Sequence, residues 1–440
     1  MRYLFLFACL VTAPAGADGA DYAPPLFDIP LLDTPYNFSD GYTAPSMRQS
    51  LLWSKDVYQF AHHQLEQTFA ERRGWRLTTE IGFDIVMTWL PLGDSWLHEE
   101  WHRAVLGRRG IQSYNDVYNL PVFADAISVS HIGDADLMQL KQNHPAEFVR
   151  LSAAGIEAQY ELNLELEKDV FFSGQRNANG LLLWMNALNS IAYLDTCAGK
   201  DSDTFTAEFN LQDGANVPKR DFTGLDCTAW VYDLHRPDEP YAQRGVHPSG
   251  VGIDRYISWS DLTSTERSYL RRQRDLSLLN LIDPFLFRHH SSAATNPMDG
   301  SALRWNMTLR HHLTSFGYTI DTNLFLHTTH FDALAIVHSY RNQRHTFPGI
   351  SVEIRRLPLA AFAVPIHVST TATLWQQPRL QRFDTENSVL GGQLAARLDY
   401  PVHQRWDVYV ETDWKTAGWV VGNVFLDANT SLRLGTLTRW

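Results

Sequence analysis

The sequence predicts an α+β protein in which a helical region comes first and an antiparallel sheet follows. Between Trp53 and Glu167, apolar residues recur every three or four positions, which is typical of amphipathic α-helices. After Met298 the interval changes to two residues, which is typical of strands with one apolar face. The chain has 440 residues, of which 44% are hydrophobic, so each region is large enough to bury a core.

Composition excludes several classes of protein. The formal net charge is −12, whereas a general nucleic-acid binder needs a basic surface. The hydrophobic content is too high, and the charge too dilute, for a disordered chain. After the N-terminus no segment offers the ~20 apolar residues of a membrane-spanning helix, which excludes a protein with several helical spans.

The N-terminus predicts export. Arg2 is followed by an apolar stretch and then by Ala15-Gly16-Ala17, so residues 1–17 have the pattern of a secretory signal peptide. Residues 18–44 are rich in Pro, Asp and Tyr, and we expect them to form an extended lead-in segment.

The cysteines predict a disulfide. Cys9 would leave with the signal peptide, and Cys197 and Cys227 then remain as an even pair in an exported chain, where oxidation is permitted. A disulfide between them would contribute roughly 3–4 kcal/mol by the chain-entropy relation. Two free buried thiols are the alternative.

Residues 45–290 are expected to form a helical domain. Pro91-Leu92-Gly93 breaks the chain, and Asp94 or Ser95 can cap the helix that follows. Thr263 and Glu266 have the spacing of a capping box. Residues 195–262, which hold both cysteines, have a loop-like composition. The predicted helices cover residues 57–69, 78–90, 94 to 107 or 110, 145 to beyond 161, 180–194 and 263–282.

Residues 300–440 are expected to form about eight or nine strands. Their alternation fits a soluble sheet with one wet face or a transmembrane barrel with a polar lumen. Trp and Tyr residues at strand ends, and segments of about ten residues, favour the barrel. The last strand ends on Trp440 and resembles the C-terminal strand of bacterial outer-membrane β-barrels. This resemblance implies a small transmembrane β-barrel.

One segment predicts a metal site. In His98-Glu99-Glu100-Trp101-His102, the two histidines are four residues apart, so on a helix both imidazoles can bind one tetrahedral Zn²⁺. Glu99 lies beside them and could act as a general base toward water. An apolar stripe that would seat this helix in a core consists of Leu97, Trp101 and Val105.

A zinc hydrolase needs a third protein ligand and an open fourth position. On the helix that starts near Pro145, Glu157 and Glu161 share a face, and the small residues Ala153 and Ala154 would allow close helix packing.

These two segments resemble the gluzincins, zinc peptidases in which a glutamate on a downstream helix completes the site. The resemblance implies that His98, His102 and Glu157 are ligands, that Glu99 is the base, and that Glu161 supports the site as a partner of the ligand. Glu161 stands where one branch of that family has Asp.

Other interpretations of these residues stay open. The histidines could be solvated, and Glu157 and Glu161 could belong to an acidic helix face that continues through Glu165 and Glu167. His131, followed by Asp134 and Asp136, is the substitute third ligand. No Gly-x-Ser-x-Gly segment occurs, so the sequence offers no support for serine hydrolysis.

The sequence thus predicts an exported zinc metallohydrolase, foremost a metallopeptidase, in the outer membrane of a Gram-negative-type bacterium, with the periplasm as the alternative. Its expected partners are Zn²⁺, a peptide or envelope-derived substrate, and outer-membrane lipid, with no nucleic acid. A hydrolase of a lipid or of a cell-wall amide or ester is one rival. A non-enzymatic barrel with a helical accessory domain is the other.

Overall fold

The computed structural model describes residues 26–38, 43–119, 127–174, 180–289, 291–295, 300, 302–359 and 366–439. The predicted signal peptide, Cys9 and Trp440 lie outside the described residues. Within the described part the chain has the predicted α+β class, with helices first and one large antiparallel sheet after them.

The helices follow the sequence pattern closely where that pattern is strong. The capping box of Thr263 and Glu266 is present. Across the described ranges the helices are α1 Met47–Thr68, α2 Arg73–Met87, α3 Asp94–Gly107, α4 Asp134–Asn143, α5 Pro145–Ser173, α6 Gly180–Cys197, α7 Asp201–Asp213, α8 Asp226–His235 and α9 Ser264–Ser277. None of these helices combines the length and the apolar character needed to cross a membrane.

The loop-like interpretation of residues 195–262 was wrong, because α7 and α8 lie within this range. The sequence pattern is weak here for a physical reason. Every residue of α8 from Asp226 to Leu234 is buried, so the helix has no wet face to produce an alternation of polar and apolar positions. The expected disulfide between Cys197 and Cys227 is confirmed, and it joins the end of α6 to the start of α8.

Among the described residues, ten strands form the main sheet and two short strands form a separate pair. The strands are β1 Leu26–Thr34, β2 Tyr114–Asn115, β3 Val129–Ser130, β4 Ser292–Thr295, β5 Ala302–Thr314, β6 Gly317–His327, β7 Asp332–Arg341, β8 Thr346–Leu359, β9 Ile366–Pro378, β10 Ser388–His403, β11 Trp406–Lys415 and β12 Asn429–Arg439.

The main sheet is a meander from β4 to β12, and β1, from the predicted lead-in segment, is added antiparallel to β12. The sequence predicts a closed barrel. Within the described residues the sheet is instead open, because β1 and β4 are its two edges and do not pair with each other.

The sheet buries its polar face and exposes its apolar face. In β11, the side chains on one face are charged or polar and mostly buried, whereas those on the other face are largely apolar and exposed. The same contrast recurs across the sheet. Exposed apolar residues on the outer face include Met307, Val337, Leu374, Leu394, Val408, Trp414 and Leu432.

The inner face packs on the helices, chiefly through α5. This helix is buried from Glu147 to Phe171. Two of its charged groups are paired with the sheet: Lys168 Nζ is 2.9 Å from Glu353 of β8, and Glu167 is paired with Arg310 of β5. The charged face of α5 therefore packs against the polar face of the sheet.

Candidate metal centre

The helix α3 presents His98 and His102 toward the interior. Leu97 and Trp101 are fully buried in the core, which fixes the rotation of α3, as the apolar stripe predicts. The rings of His98 and His102 lie 4.9 Å apart between centroids. The backbone of the sequence motif is thus a helix, and both imidazoles occupy one face of it.

The third group at these histidines is Asp226, in the first turn of α8. Nε2 of His98 lies 3.0 Å, and Nε2 of His102 lies 3.3 Å, from Oδ2 of Asp226. One donor atom from each of the three side chains lies within 4.8 Å of the others. Two ligands of a tetrahedral zinc ion are separated by about 3.3–3.4 Å when each bond is ~2.0–2.1 Å long. The observed spacings are close to this value.

The tautomer of His102 suits metal binding. Its Nδ1 lies 2.5 Å from the carbonyl oxygen of Leu151, to which a protonated Nδ1 donates. In the neutral imidazole this leaves the lone pair on Nε2, which is buried and makes no well-formed hydrogen bond with the described residues. Metal-bound histidines are usually oriented in this way by a backbone carbonyl or a carboxylate.

The charges of the cluster favour a cation. Burial alone would lower the pKa of His102, but Asp226 and Glu99 together raise it to about 9. Burial raises the pKa of Asp226, and the two histidines outweigh it, so that this pKa lies below its usual range. The carboxylate is therefore held ionised in a buried site, where a metal ion can replace the proton that His102 would otherwise carry.

Two links hold Asp226 in position. Its backbone N–H donates to the Tyr193 hydroxyl of α6 over 2.9 Å. The next residue, Cys227, is bonded to Cys197 at the end of the same helix. The disulfide thus anchors the turn that carries the third group of the cluster.

Close packing of α5 against α3 depends on Gly155. A Cβ at this position would lie 2.2 Å from Nε2 of His98, so a larger residue would displace the imidazole. Leu151, four residues earlier, supplies the carbonyl that binds His102. The face of α5 toward the histidines is therefore that of Leu151 and Gly155. Ala154 of the predicted small pair belongs to the same core cluster as Leu151, whereas Ala153 belongs to another cluster.

The structure brings Asp226, and not Glu157, to the histidines. Glu157 is two residues after Gly155, which is about 200° around an α-helix. Its Oε1 is 2.6 Å from Nη2 of the buried Arg150 and accepts from the N–H of Gly422 over 3.1 Å. Glu161, one turn further on, is also buried and lies outside the group of His98, His102 and Asp226.

The substitute ligand His131 also lies outside this group. It is exposed, and its Nδ1 is 2.8 Å from the Ser130 hydroxyl. Asp134 is paired with Arg255 at 2.8 Å.

The two glutamates of the motif have different environments. Glu99 is only 6% exposed. Burial raises its pKa well above the usual range, with Asp221 and Asp226 adding to the effect and His102 opposing it. Glu100 forms an ion pair with Arg103 at 2.6 Å and accepts from Asn115 over 2.9 Å. Glu99 is therefore the glutamate whose charge interacts with His102 and Asp226.

Sequence reasoning missed Asp226, although one signal pointed toward it. An aspartate directly before a disulfide cysteine is fixed in place by that bond. Comparison with known proteins adds no assignment, because no protein-family model and no curated protein matches this chain.

Proposed function

We propose that this chain is a zinc-dependent hydrolase whose metal ion is bound by His98, His102 and Asp226. The observation that carries the proposal is the convergence of two imidazole nitrogens on one carboxylate oxygen at 3.0 and 3.3 Å. Three protein ligands with a free fourth position are typical of catalytic zinc, whereas structural zinc has four. The hydrolysed bond is proposed to be an amide, foremost a peptide bond.

Zinc in such a site polarises a carbonyl group and increases the acidity of water. Glu99 would accept a proton from the attacking water and deliver it to the leaving amine. Glu99 is buried beside the histidines, and burial raises its pKa above the usual range, which favours the half of this transfer in which it donates the proton. Leu151 and Gly155 would keep the imidazoles in position.

We further propose that the outer face of the sheet contacts lipid, in the outer membrane of a Gram-negative-type bacterium. The support is the exposed apolar face of the sheet, on which residues such as Leu374 and Trp414 alternate along their strands with buried polar residues. In soluble monomers large contiguous apolar patches are rare, whereas membrane-embedded strands are apolar on the lipid side.

The hydrolase proposal is tested with Glu99→Gln in the purified full-length protein. We expect this variant to keep its zinc and to lose at least ~10²-fold in the hydrolysis of a quenched peptide library. Zinc content is measured by atomic absorption on the same samples, so that a loss of metal is distinguished from a loss of the base.

Two results would contradict the proposal. One is full hydrolysis by Glu99→Gln. The other is hydrolysis by the wild type that persists after the zinc has been removed with a chelator and its removal verified.

A further inference from the structure

The inner face of the sheet holds a second group of reactive side chains, far along the chain from the metal centre. Asp321 of β6, His338 of β7 and Ser351 of β8 lie on three neighbouring strands and form one hydrogen-bonded chain. Nδ1 of His338 is 2.9 Å from Oδ1 of Asp321, and Nε2 of His338 is 2.7 Å from Oγ of Ser351.

We propose that Ser351, His338 and Asp321 form a nucleophilic triad that hydrolyses carboxylic esters. Each nitrogen of His338 has the partner that this chemistry requires. Nδ1–H donates to the carboxylate, which fixes the tautomer, and the lone pair of Nε2 then faces Oγ of Ser351. The Ser351 hydroxyl donates to Oγ1 of Thr373 on β9 over 2.9 Å, and rotation about its Cβ–Oγ bond aims it at Nε2. Such triads are recognised by geometry and roles, and they occur in many folds and in any sequence order.

The register of the strands brings the three residues together. Asp321 and His338 are direct partners on β6 and β7. His338 is paired with Gly349 on β8, so Ser351, two residues further, is its diagonal neighbour. A Cβ at Gly349 would lie 3.2 Å from Cβ of His338 and 2.7 Å from the ring of Tyr340. The missing side chain leaves room for the imidazole to lean toward Ser351.

Of the three side chains, that of Ser351 is the most exposed. Asp321 is 5% and His338 is 6% exposed, whereas Ser351 is half-buried. Thr319 donates to Asp321 over 2.7 Å, which holds the carboxylate in place. The group that must meet a substrate is therefore the accessible one, and the groups that orient it are enclosed.

The proposed reaction consumes only the ester and water, and Ser351 and His338 are regenerated at its end. Oγ of Ser351 bonds to the ester carbonyl carbon while its proton passes to Nε2 of His338. The bond from that carbon to the alcohol oxygen breaks, and the alcohol leaves with the proton from His338. Water then gives a proton to Nε2 of His338 and bonds to the acyl carbon. The bond from that carbon to Oγ of Ser351 breaks, His338 returns its proton to Oγ, and the carboxylic acid leaves.

The test uses an alkyl fluorophosphonate on the purified full-length protein in detergent, followed by peptide mass spectrometry. Attack by Ser351 Oγ on phosphorus releases fluoride and leaves a phosphonylated serine. We expect one adduct, on the peptide that contains Ser351, and none in Ser351→Ala. The labelling rate of His338→Gln should fall at least ~10²-fold.

Ser369→Ala is the matched control. Ser369 is a half-buried serine of β9, and its hydroxyl accepts from the N–H of Arg356 over 3.0 Å. This variant should keep the adduct on Ser351.

Two results would overturn the triad. In the first, wild-type Ser351 stays unmodified while a known serine esterase in the same tube is fully modified, a result that does not depend on how the variants fold. In the second, His338→Gln, with an unchanged circular dichroism spectrum, is labelled at the wild-type rate.

Discussion

The packing around α3 and α8 differs from the packing on the inner face of the sheet. Around α3 and α8, large apolar side chains form the core, with Leu97, Trp101 and Trp230 fully enclosed. On the inner face of the sheet the interior is charged, with buried residues such as Arg310 and Asp407, and the apolar side chains lie outside. On the inner face of the sheet, a buried charged side chain is therefore part of the general packing.

In the sheet and along α5, most buried charges have partners of opposite sign. Arg310 lies between Glu167 and Asp283, and Glu157 is paired with Arg150. At the metal centre, two histidines share one carboxylate oxygen, and the charges of Glu99 and Asp221 act on the same cluster. The metal centre is therefore distinguished by this shared carboxylate, whereas burial of charge alone would not identify a site in this protein.

The largest effect is expected from breaking the charge network of the sheet. Arg310→Met removes the cation between the buried Glu167 and Asp283, so we expect the free energy of unfolding to fall by about 3–5 kcal/mol. Urea unfolding followed by tryptophan fluorescence measures it. The control is Arg382→Met, because Arg382 pairs with the exposed Asp238 and should change stability by no more than ~1 kcal/mol. Equal losses in the two variants would contradict the comparison.

The next effect concerns the covalent link in the helical region. Replacing Cys197 and Cys227 with Ser should lower the free energy of unfolding by roughly 3–4 kcal/mol, since their sequence separation is 30. The variant should also release zinc faster, because Cys227 follows Asp226 in the chain. Unfolding curves and zinc release to a colorimetric chelator measure the two effects. A variant with unchanged zinc release would show that the disulfide does not position the cluster.

A somewhat smaller effect is expected on the apolar face of the sheet. Val410 is exposed on the outer face of β11, so Val410→Arg should cost up to ~2–4 kcal/mol if lipid covers it near the bilayer midplane. Val410→Leu should have little effect. Membrane fractionation, and gel migration before and after boiling, provide the readout. A wild-type protein that is fully soluble without detergent and migrates identically in both lanes would contradict the lipid proposal.

The smallest change tests the packing of α5 on the metal centre. Gly155→Ala places a methyl group against the ring of His98 and should weaken zinc binding about 10–100-fold, comparable to the loss of a supporting contact at other metal sites. Gly82→Ala in α2 is the control, because its added Cβ meets nothing within 4 Å. Competition with a fluorescent zinc chelator measures the affinity. Equal affinities in the two variants would show that His98 is not a ligand.

Features that depend on neighbours in the sequence were predictable. The course of α3, the capping box at Thr263 and the alternation in β11 each follow from residues a few positions apart. The disulfide was predictable as well, because only two cysteines remain outside the expected signal peptide.

Features that depend on distant contacts were not predictable. Asp226 lies 128 residues from His98 in the chain, and the packing of α8 brings the two together. The rotation of α5 also escaped prediction, because its burial on all sides leaves no polar stripe to mark the face of Gly155. The closed barrel was expected from strand patterns alone, and these do not specify whether the edge strands β1 and β4 pair with each other.

The most direct test of the central claim compares two buried carboxylates as zinc ligands. Purified wild type, Asp226→Asn and Glu157→Gln are dialysed against a weak chelator, and the zinc content of each is measured by atomic absorption. We expect about one zinc ion per chain in the wild type and in Glu157→Gln, and little in Asp226→Asn. Zinc that stays bound in Asp226→Asn and is lost in Glu157→Gln would contradict Asp226 as the third ligand and restore the ligand set that the sequence predicts.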